Sequence, residues 1–356
     1  MIFGKVHGIA RYLYQLLYVW AESSINHNIT LLTNYPEVLD CVGLLKNFGH
    51  YKMKHRPFAP GEMHELPVVL KRLGGDLFHA TSISVPFRKV IPTVITIHDL
   101  IPMHMGGIAH KIYCQTVLRQ AVTYADAVIA PSEFTKNDVI KSFGCSPDKV
   151  YVTYEAAAPM YKDPPSWKQV KKKYRIEKPF LFYLGNPKPH KNVFGLIEIY
   201  KILRKIHKGR VDLVIGCSST PELLYELLHN PYREEIRFSD YFNEGELETL
   251  YANASVFVFP SYFEGFGLPP LEAMKRGCPV VVSNRTSLPE VVGGAGLTVD
   301  PDDREKFAGA IKSIIEDSSL REKLSSLALE REKQFSWEKC ARETMEIYEK
   351  ARKKYD

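Results

Sequence analysis

The densest run of chemistry-bearing residues in this chain is Ser261-Tyr-Phe-Glu-Gly-Phe-Gly-Leu-Pro-Pro-Leu-Glu272-Ala. It follows an apolar run, Val256-Phe-Val-Phe-Pro260, that reads as a buried strand. The chain then turns through Gly265 and Gly267 and enters a helix at Pro269-Pro270. Proline is tolerated there because the first helical N–H groups have no partner within the helix. A glycine-lined turn feeding a helix N-terminus suits an anion, since backbone N–H groups point outward and the dipole favours negative charge. Two carboxylates, Glu264 and Glu272, bracket that helix start. Carboxylates do not bind phosphate; they accept hydrogen bonds from sugar or ribose hydroxyls. An anion turn beside hydroxyl acceptors points to a nucleotide-sugar rather than a bare nucleotide. The plain alternative is a strand–turn–helix unit of any α/β sheet with two solvated glutamates.

A second loop has complementary chemistry. Phe180-Leu-Phe-Tyr-Leu is followed by Gly185-Asn186-Pro-Lys188-Pro-His190-Lys191-Asn192, a strand ending in glycine and then a short basic turn. Lys191, near a helix start, is placed to face a diphosphate as a point charge. A lone loop lysine is usually just solvated, but open α/β sheets bind ligands at the carboxyl ends of their strands. His98-Asp99 ends another apolar run, where the histidine reads either as a capped structural residue or as a site residue. Asp99 reads as a cap for Leu100-Ile-Pro102. Gly4-Lys-Val-His-Gly8-Ile-Ala-Arg11-Tyr12 looks like a glycine loop opening the first helix. Asp300-Pro-Asp302 is a D-x-D pair, but it precedes a helix starting near Arg304, so Asp302 or Asp303 is more simply an N-cap. No His/Asp/Glu cluster at metal spacing stands elsewhere, and no obligatory metal is expected.

Gly-Phe-Gly-Leu-Pro-Pro-Leu-Glu-Ala with its Glu-x7-Glu spacing resembles the signature of the family 4 (group 1) retaining glycosyltransferases, which have the two-domain GT-B fold. Gly-Asn-Pro-x-Pro-His-Lys-Asn is similar to a variant among their mannosyltransferase-like members. The resemblance implies an α/β fold of two Rossmann-like parallel-sheet domains facing a deep interdomain cleft. It implies that Glu264 takes donor-sugar hydroxyls and Glu272 the ribose, with Gly265, Phe266, Gly267 and Leu268 forming the donor turn. Gly185, Asn186 and Lys191 would line the diphosphate. The family has an arginine where this chain has Asn186, which leaves Lys188 or His190 as substitutes. His98 would lie near the donor sugar, and Gly8 and Arg11 on a cleft loop near donor or acceptor. Glu290, in a turn that packs beside the two-glutamate motif in the family, reads as structural. The implied reaction is transfer of a hexose, mannose favoured, from a nucleotide diphosphate sugar to a glycan or lipid-linked acceptor, in cell-surface polysaccharide (lipopolysaccharide) synthesis. Anomeric configuration would be retained, with no cofactor beyond the donor. The alternatives are a non-catalytic GT-B paralogue serving a polysaccharide assembly pathway, or a nucleotide-sugar epimerase or sugar phosphorylase on the same scaffold. A nicotinamide enzyme fits least, because no strand is followed by Gly-x-Gly-x-x-Gly.

Apolar β-branched runs alternate with amphipathic stretches throughout, the pattern of parallel sheets wrapped by helices. Strands are expected at Ile29–Thr33, Asp76–Ala80, Val94–His98, Ala127–Ala130 and Val150–Tyr154, with helices at Ile9–Glu22, Ala109–Tyr124 and Glu133–Phe143. Ala156–Pro179, rich in proline and lysine, reads as a linker. Strands Phe180–Leu184, Val211–Ile215, Val256–Phe259 and Val280–Ser283 follow, then a last amphipathic helix near Trp337–Lys350. The expected domains are 1–160, 175–335, and a helix over 336–356 that crosses back to the first. Only Met1-Ile2-Phe3 precedes the first glycine loop, where such a domain normally has a central strand. Either that strand is very short or the native chain starts upstream, and a chain without it is expected to fold poorly in its amino-terminal half.

At 356 residues, with 45% hydrophobic and 25% charged content, the chain suits a two-domain globular protein. No apolar run approaches the roughly 20 residues of a membrane span, and no signal peptide is evident. Six scattered cysteines without a C-x-x-C pair argue for a reducing cytoplasm. The net charge of +6 is uneven: Gly43–Val90 holds eight Lys or Arg against three acidic residues. Its densest part, Lys46 to Arg56, alternates bases with aromatics. It reads as a solvated loop or as a peripheral contact with an anionic membrane. Nucleic acid is not expected, since no reader motif accompanies the patch.

Overall fold

The computed structural model describes residues 8–23, 27–34, 48–57, 59–176 and 179–354. The chain divides into two units, Met1–Glu155 together with Ser336–Asp356, and Ala156–Phe335. The segment Gly4–His7, the three residues before it, Cys41 and Lys46 lie outside the described residues.

The first unit is built on four strands: β3 (Phe78–Ala80), β4 (Thr93–Thr96), β5 (Ala127–Ala130) and β6 (Val150–Val152). They lie side by side in chain order and are all parallel. All four residues of β4 and of β5 are buried, as expected of central parallel strands covered on both faces. Alternation along β4 sends Ile95 to one core with Leu118, Val122 and Val139. Val94 goes to the other face, with Ile129, Ile347 and Ala351. That second face is covered by the last helix, Trp337–Arg352. The first helix, Gly8–Glu22, packs on it: Trp20 Nε1 donates to Ala341 O at 3.3 Å, and the Trp20 and Tyr348 rings lie 6.0 Å apart. A separate parallel pair, β1 (Thr30–Thr33) and β2 (Gly49–Lys52), completes the described strands of this unit.

Local features of three segments differ from the sequence reading, besides the strands β2, Ile236–Ser239 and Leu297–Val299 that it did not place. Helix Pro60–Leu73 was not expected, because Pro67 interrupts its pattern. Proline removes one helical N–H, and the carbonyl it leaves behind, Met63 O, accepts the Phe87 N–H at 2.9 Å instead. The helix expected over Ala109–Tyr124 runs as Ile108–Tyr113, a π-turn at Cys114–Leu118, and Arg119–Tyr124. The widened turn brings both Cys114 and Leu118 into the core. The stretch read as a linker carries helix Trp167–Tyr174. Gln169 Oε1 accepts the Ser166 N–H at 2.8 Å, Val170 joins the second unit's core, and Trp167 stacks on Phe180 at 5.5 Å.

The second unit holds β7 (Phe180–Leu184), β8 (Asp212–Gly216), β9 (Ile236–Ser239), β10 (Val256–Phe259), β11 (Val280–Ser283) and β12 (Leu297–Val299). Their order is β12-β11-β10-β7-β8-β9, all parallel. The first strand of this unit, β7, is therefore central, the next two extend the sheet one way, and the last three extend it the other way. Between β7 and β10 the winding reverses. The connections leaving those two strands diverge to opposite faces and leave a crevice at their carboxyl ends, where doubly wound sheets bind ligands.

Candidate active site

The two loops singled out by residue type leave the two strands at this switch point. Gly185–Asn192 follows β7, and Pro260–Gly267 follows β10, although Lys191 and Glu264 are 73 residues apart in sequence. The loops are stitched together. His190 O accepts both the Tyr262 N–H at 2.7 Å and the Ser261 hydroxyl at 2.8 Å. Asn192, at φ 54°, caps helix Val193–Ile206 by accepting the Gly195 N–H at 3.2 Å, and its amide donates to Pro260 O at 3.0 Å.

That frame fixes Lys191 against Glu264. Lys191 Nζ donates to both carboxylate oxygens, at 2.7 and 2.8 Å, and lies 5.2 Å from the centre of the Phe259 ring. Ser261 Oγ also lies 2.6 Å from Glu264 Oε1, so its one proton is shared between that oxygen and His190 O. The backbone of the same loop is held from β11's far end: Thr286 Oγ1 accepts the Glu264 N–H, and the Ser287 hydroxyl shares its one proton between Phe266 O at 2.7 Å and Glu264 O at 3.0 Å. Gly267 has φ 118°, a conformation that side chains resist, and a Cβ there would sit 2.8 Å from Leu288 Cδ2. Helix Leu268–Lys275 starts immediately after it. Pro269 and Pro270 carry no N–H, so neither donates to an anion at this helix start. Phe266 is buried, its ring set edge-on against Phe335 at 5.8 Å. Glu272 is buried and accepts the Tyr251 hydroxyl at 3.1 Å.

The basic loop is less cationic than its residue types suggest. Asn186 Oδ1 accepts the Lys188 N–H at 3.1 Å and serves the turn. Burial, and then the adjacent Lys191 charge, depress His190 to about 4, so it is neutral near pH 7 and supplies no second cation. Lys188 is exposed.

In the first unit, His98 follows β4 and is enclosed by three elements. Its Nδ1 lies 3.0 Å from Glu155 Oε1, its Nε2 lies 3.1 Å from Thr81 O, and the Tyr12 ring meets it edge-on at 4.8 Å. Burial alone would depress its pKa, but the Glu155 carboxylate, with help from Thr81 O and Asp99, raises it above the ordinary value. Glu155, just past β6, escaped the sequence reading because nothing in its local pattern marks it. Asp99 caps as expected, accepting the Ile101 N–H at 2.9 Å. Gly8 opens helix Gly8–Glu22, and Arg11 is half-buried in its first turn.

Of the basic stretch, Lys52, Lys54 and Arg56 are exposed. The backbone there is pinned by Glu65, which accepts the Lys54 and His55 N–H groups at 2.9 and 3.0 Å. Asp300 and Asp302 both receive Arg285 Nη2, at 2.8 and 2.6 Å, and Asp303 caps helix Arg304–Glu316. Glu290 O accepts Arg331 Nη2 at 2.6 Å. Among the described residues no cluster of three or more potential metal ligands occurs, and no helix is long and apolar enough to cross a membrane.

A sheet of this order, with an acid–base pair at its switch point, defines a doubly wound α/β unit, here joined to a second parallel-sheet unit. Residues 166–331 match the model of the glycosyl transferases group 1, and residues 6–157 that of glycosyltransferase family 4. The chain is 34% identical over 281 residues to O-antigen chain mannosyltransferase B of Escherichia coli, covering 76% of this chain and 74% of that one. It is 30% identical over 275 residues to the serotype-specific mannosyltransferase WbdA of the same species, of which it spans only about a third, 34%. The crystal structure of Anabaena HepE in complex with UDP-glucose superposes with a TM-score of 0.76 at 19% identity, covering 97% of both chains. The chain belongs to the group 1, family 4 glycosyltransferases. It is a glycosyltransferase of the GT-B fold.

Proposed function

We propose that this chain transfers mannose, with retention of configuration, from a nucleotide diphosphate sugar to a glycan or lipid-linked acceptor in cell-surface polysaccharide synthesis. The observation that carries this reading is the Lys191–Glu264 pair at the β7/β10 switch point, beside the glycine turn into Leu268. Two similarities support it: the relatives named above are mannosyltransferases, and the HepE structure holds UDP-glucose.

The chemical problem is negative charge growing on the leaving diphosphate. Lys191 and the N–H groups of Gly265 to Leu268 oppose that charge without a metal, as preorganised donors do elsewhere. Glu264 orients Lys191 and accepts from donor-sugar hydroxyls. Glu272 takes the ribose, exchanging the Tyr251 hydroxyl for it. Gly185 and Asn186 shape the loop around the diphosphate, and Gly8 and Arg11 approach donor or acceptor. His98 faces the sugar or the developing charge. A peripheral membrane contact through the stretch Lys46 to Arg56 would bring a lipid-linked acceptor to the enzyme.

A panel of nucleotide sugars, screened for protection of the purified protein from heat, tests the donor class. At least one nucleotide diphosphate sugar of a panel that includes GDP- and UDP-linked hexoses should raise the melting temperature of the wild type and fail to do so for Glu272→Ala. Equal protection by inorganic phosphate alone, or none by any nucleotide sugar, refutes the reading.

A further inference from the structure

Two part-buried histidines lie in the first unit, and their partners differ in kind. His79, on β3, has Tyr348 Oη 2.5 Å from Nδ1 and Thr96 Oγ1 2.7 Å from Nε2. Both partners are hydroxyls, which donate or accept, so a neutral ring with one proton satisfies both contacts. His98 faces two pure acceptors, the Thr81 carbonyl at Nε2 and the Glu155 carboxylate at Nδ1. With Glu155 ionised, both ring nitrogens of His98 must carry protons.

We propose that Glu155 is the positioning residue that keeps His98 an imidazolium through neutral pH, so that His98 presents fixed charge in the reaction and not a transferable proton. The inference rests on the reading of His98 as facing the donor sugar. Glu155 is held by the chain leaving β6 and His98 by the chain leaving β4, so the sheet itself sets their separation. The pair is enclosed: the His98 side chain is 11% exposed and that of Glu155 5%. Solvent therefore screens their attraction little.

The other titratable groups around the ring fit this charge. Tyr12, from the first helix, is pushed up by burial and stays a neutral phenol. Cys340, on the last helix, is raised by burial and by Glu155 and stays a thiol. Tyr348, on the same helix, is also raised by burial. His79 is lowered to about 3, first by burial and then by repulsion from His98. Asp99 adds a second, more modest attraction for the cation. One partner ionised negative, one ring ionised positive and neutral neighbours make a self-consistent set. A neutral pair with the proton on Glu155 Oε1 has the same heavy-atom geometry, so the test has to locate the proton.

The full chain with 15N-labelled histidine, titrated by NMR, locates it; His98→Gln assigns the signal. In the wild type the His98 ring nitrogens should keep imidazolium shifts at pH values where a free histidine has already lost its proton. Glu155→Gln should lower the midpoint by about one unit or more. GDP release from GDP-mannose supplies the functional arm. Glu155→Gln should lose about tenfold in kcat at pH 8, with KM for GDP-mannose little changed, and recover most of it near pH 5.5 as the ring reprotonates. Glu155→Asp should restore part of the activity at pH 8. A wild-type His98 that is neutral at pH 7, or a Glu155→Gln loss that is the same at every pH, overturns the proposal. Undiminished turnover in His98→Gln overturns the reading of His98, and the nitrogen titration, unchanged in that case, tells this failure from the other.

Discussion

Replacing Lys191 with methionine keeps the aliphatic stem beside the Phe259 ring and removes only the ammonium, which makes it a direct probe of the switch-point pair. Two charge-assisted hydrogen bonds, at 2.7 and 2.8 Å, are lost together. Glu264 is left with the Ser261 hydroxyl as a donor, on a side chain only 9% exposed. Breaking a buried pair by removing one partner costs about 3–5 kcal/mol. Lys191 is 15% exposed, so water reaches the site and the cost should fall near the lower end, about 3 kcal/mol. For a unit of this size that corresponds to a fall in melting temperature of about 6–12 °C. Adding Glu264→Gln should recover much of the loss, because no unpaired charge remains. Turnover should behave differently. Removing one donor to a developing anion costs about 100- to 1000-fold in kcat, and Glu264→Gln has no means to restore it. Differential scanning calorimetry and GDP release from GDP-mannose measure the two quantities on the same preparations. Turnover within a few-fold of wild type in Lys191→Met would refute the assignment of Lys191 to the leaving diphosphate. Absence of coupling between the two substitutions in stability would refute the pairing.

Gly267→Ala should destabilise the second unit by about 1–3 kcal/mol, since it combines φ 118° with a 2.8 Å approach to Leu288; calorimetry reads the shift, and a Tm unchanged within error counts against a strained turn. His79 predicts acid sensitivity in the first unit. Its pKa falls from 6.5 to about 3 on folding, so its stabilisation is complete above about pH 6.5 and is lost as pH falls toward 3. At pH 5 the loss is about 2 kcal/mol by the linkage relation. His98, whose folded pKa is raised, works the other way, adding stability below its unfolded pKa and losing it as pH rises through the folded one. Denaturant titrations at pH 7 and pH 5 should therefore show a smaller acid loss for His79→Gln than for wild type, and equal losses would show that the ring is not buried neutral.

The strands that the sequence located best are those buried on both faces. Ala127–Ala130, Phe180–Leu184, Val256–Phe259 and Val280–Ser283 match residue for residue, because a wholly apolar run has few other places to go. The half-exposed strands β9 and β12 escaped notice, since their burial is partial and their composition ambiguous. Helix Pro60–Leu73 was hidden by Pro67, whose cost is offset by a hydrogen bond from Phe87, a partner no local pattern reveals. At the candidate site the same division holds. Glu264, Glu272 and Lys191 stood out by residue type and by position at strand ends. Their supports, Ser261, Thr286 and Ser287, are ordinary loop residues whose importance lies in which backbone group they reach across the sheet. Glu155 is the extreme case, since a carboxylate becomes meaningful only when the fold sets it against a histidine 57 residues away.

Because residues 156–335 lie between the two stretches that compose the first unit, order of synthesis and order of assembly part company. Val94 and Ile129 await Ile347 and Ala351, which leave the ribosome only after the whole intervening unit has been made. The usual progression, in which the amino-terminal domain matures first on a growing chain, is therefore inverted. The inserted unit is free to settle early, while one apolar flank of the earlier-made sheet stays open to chaperones, or to aggregation, until the helix Trp337–Arg352 has been made.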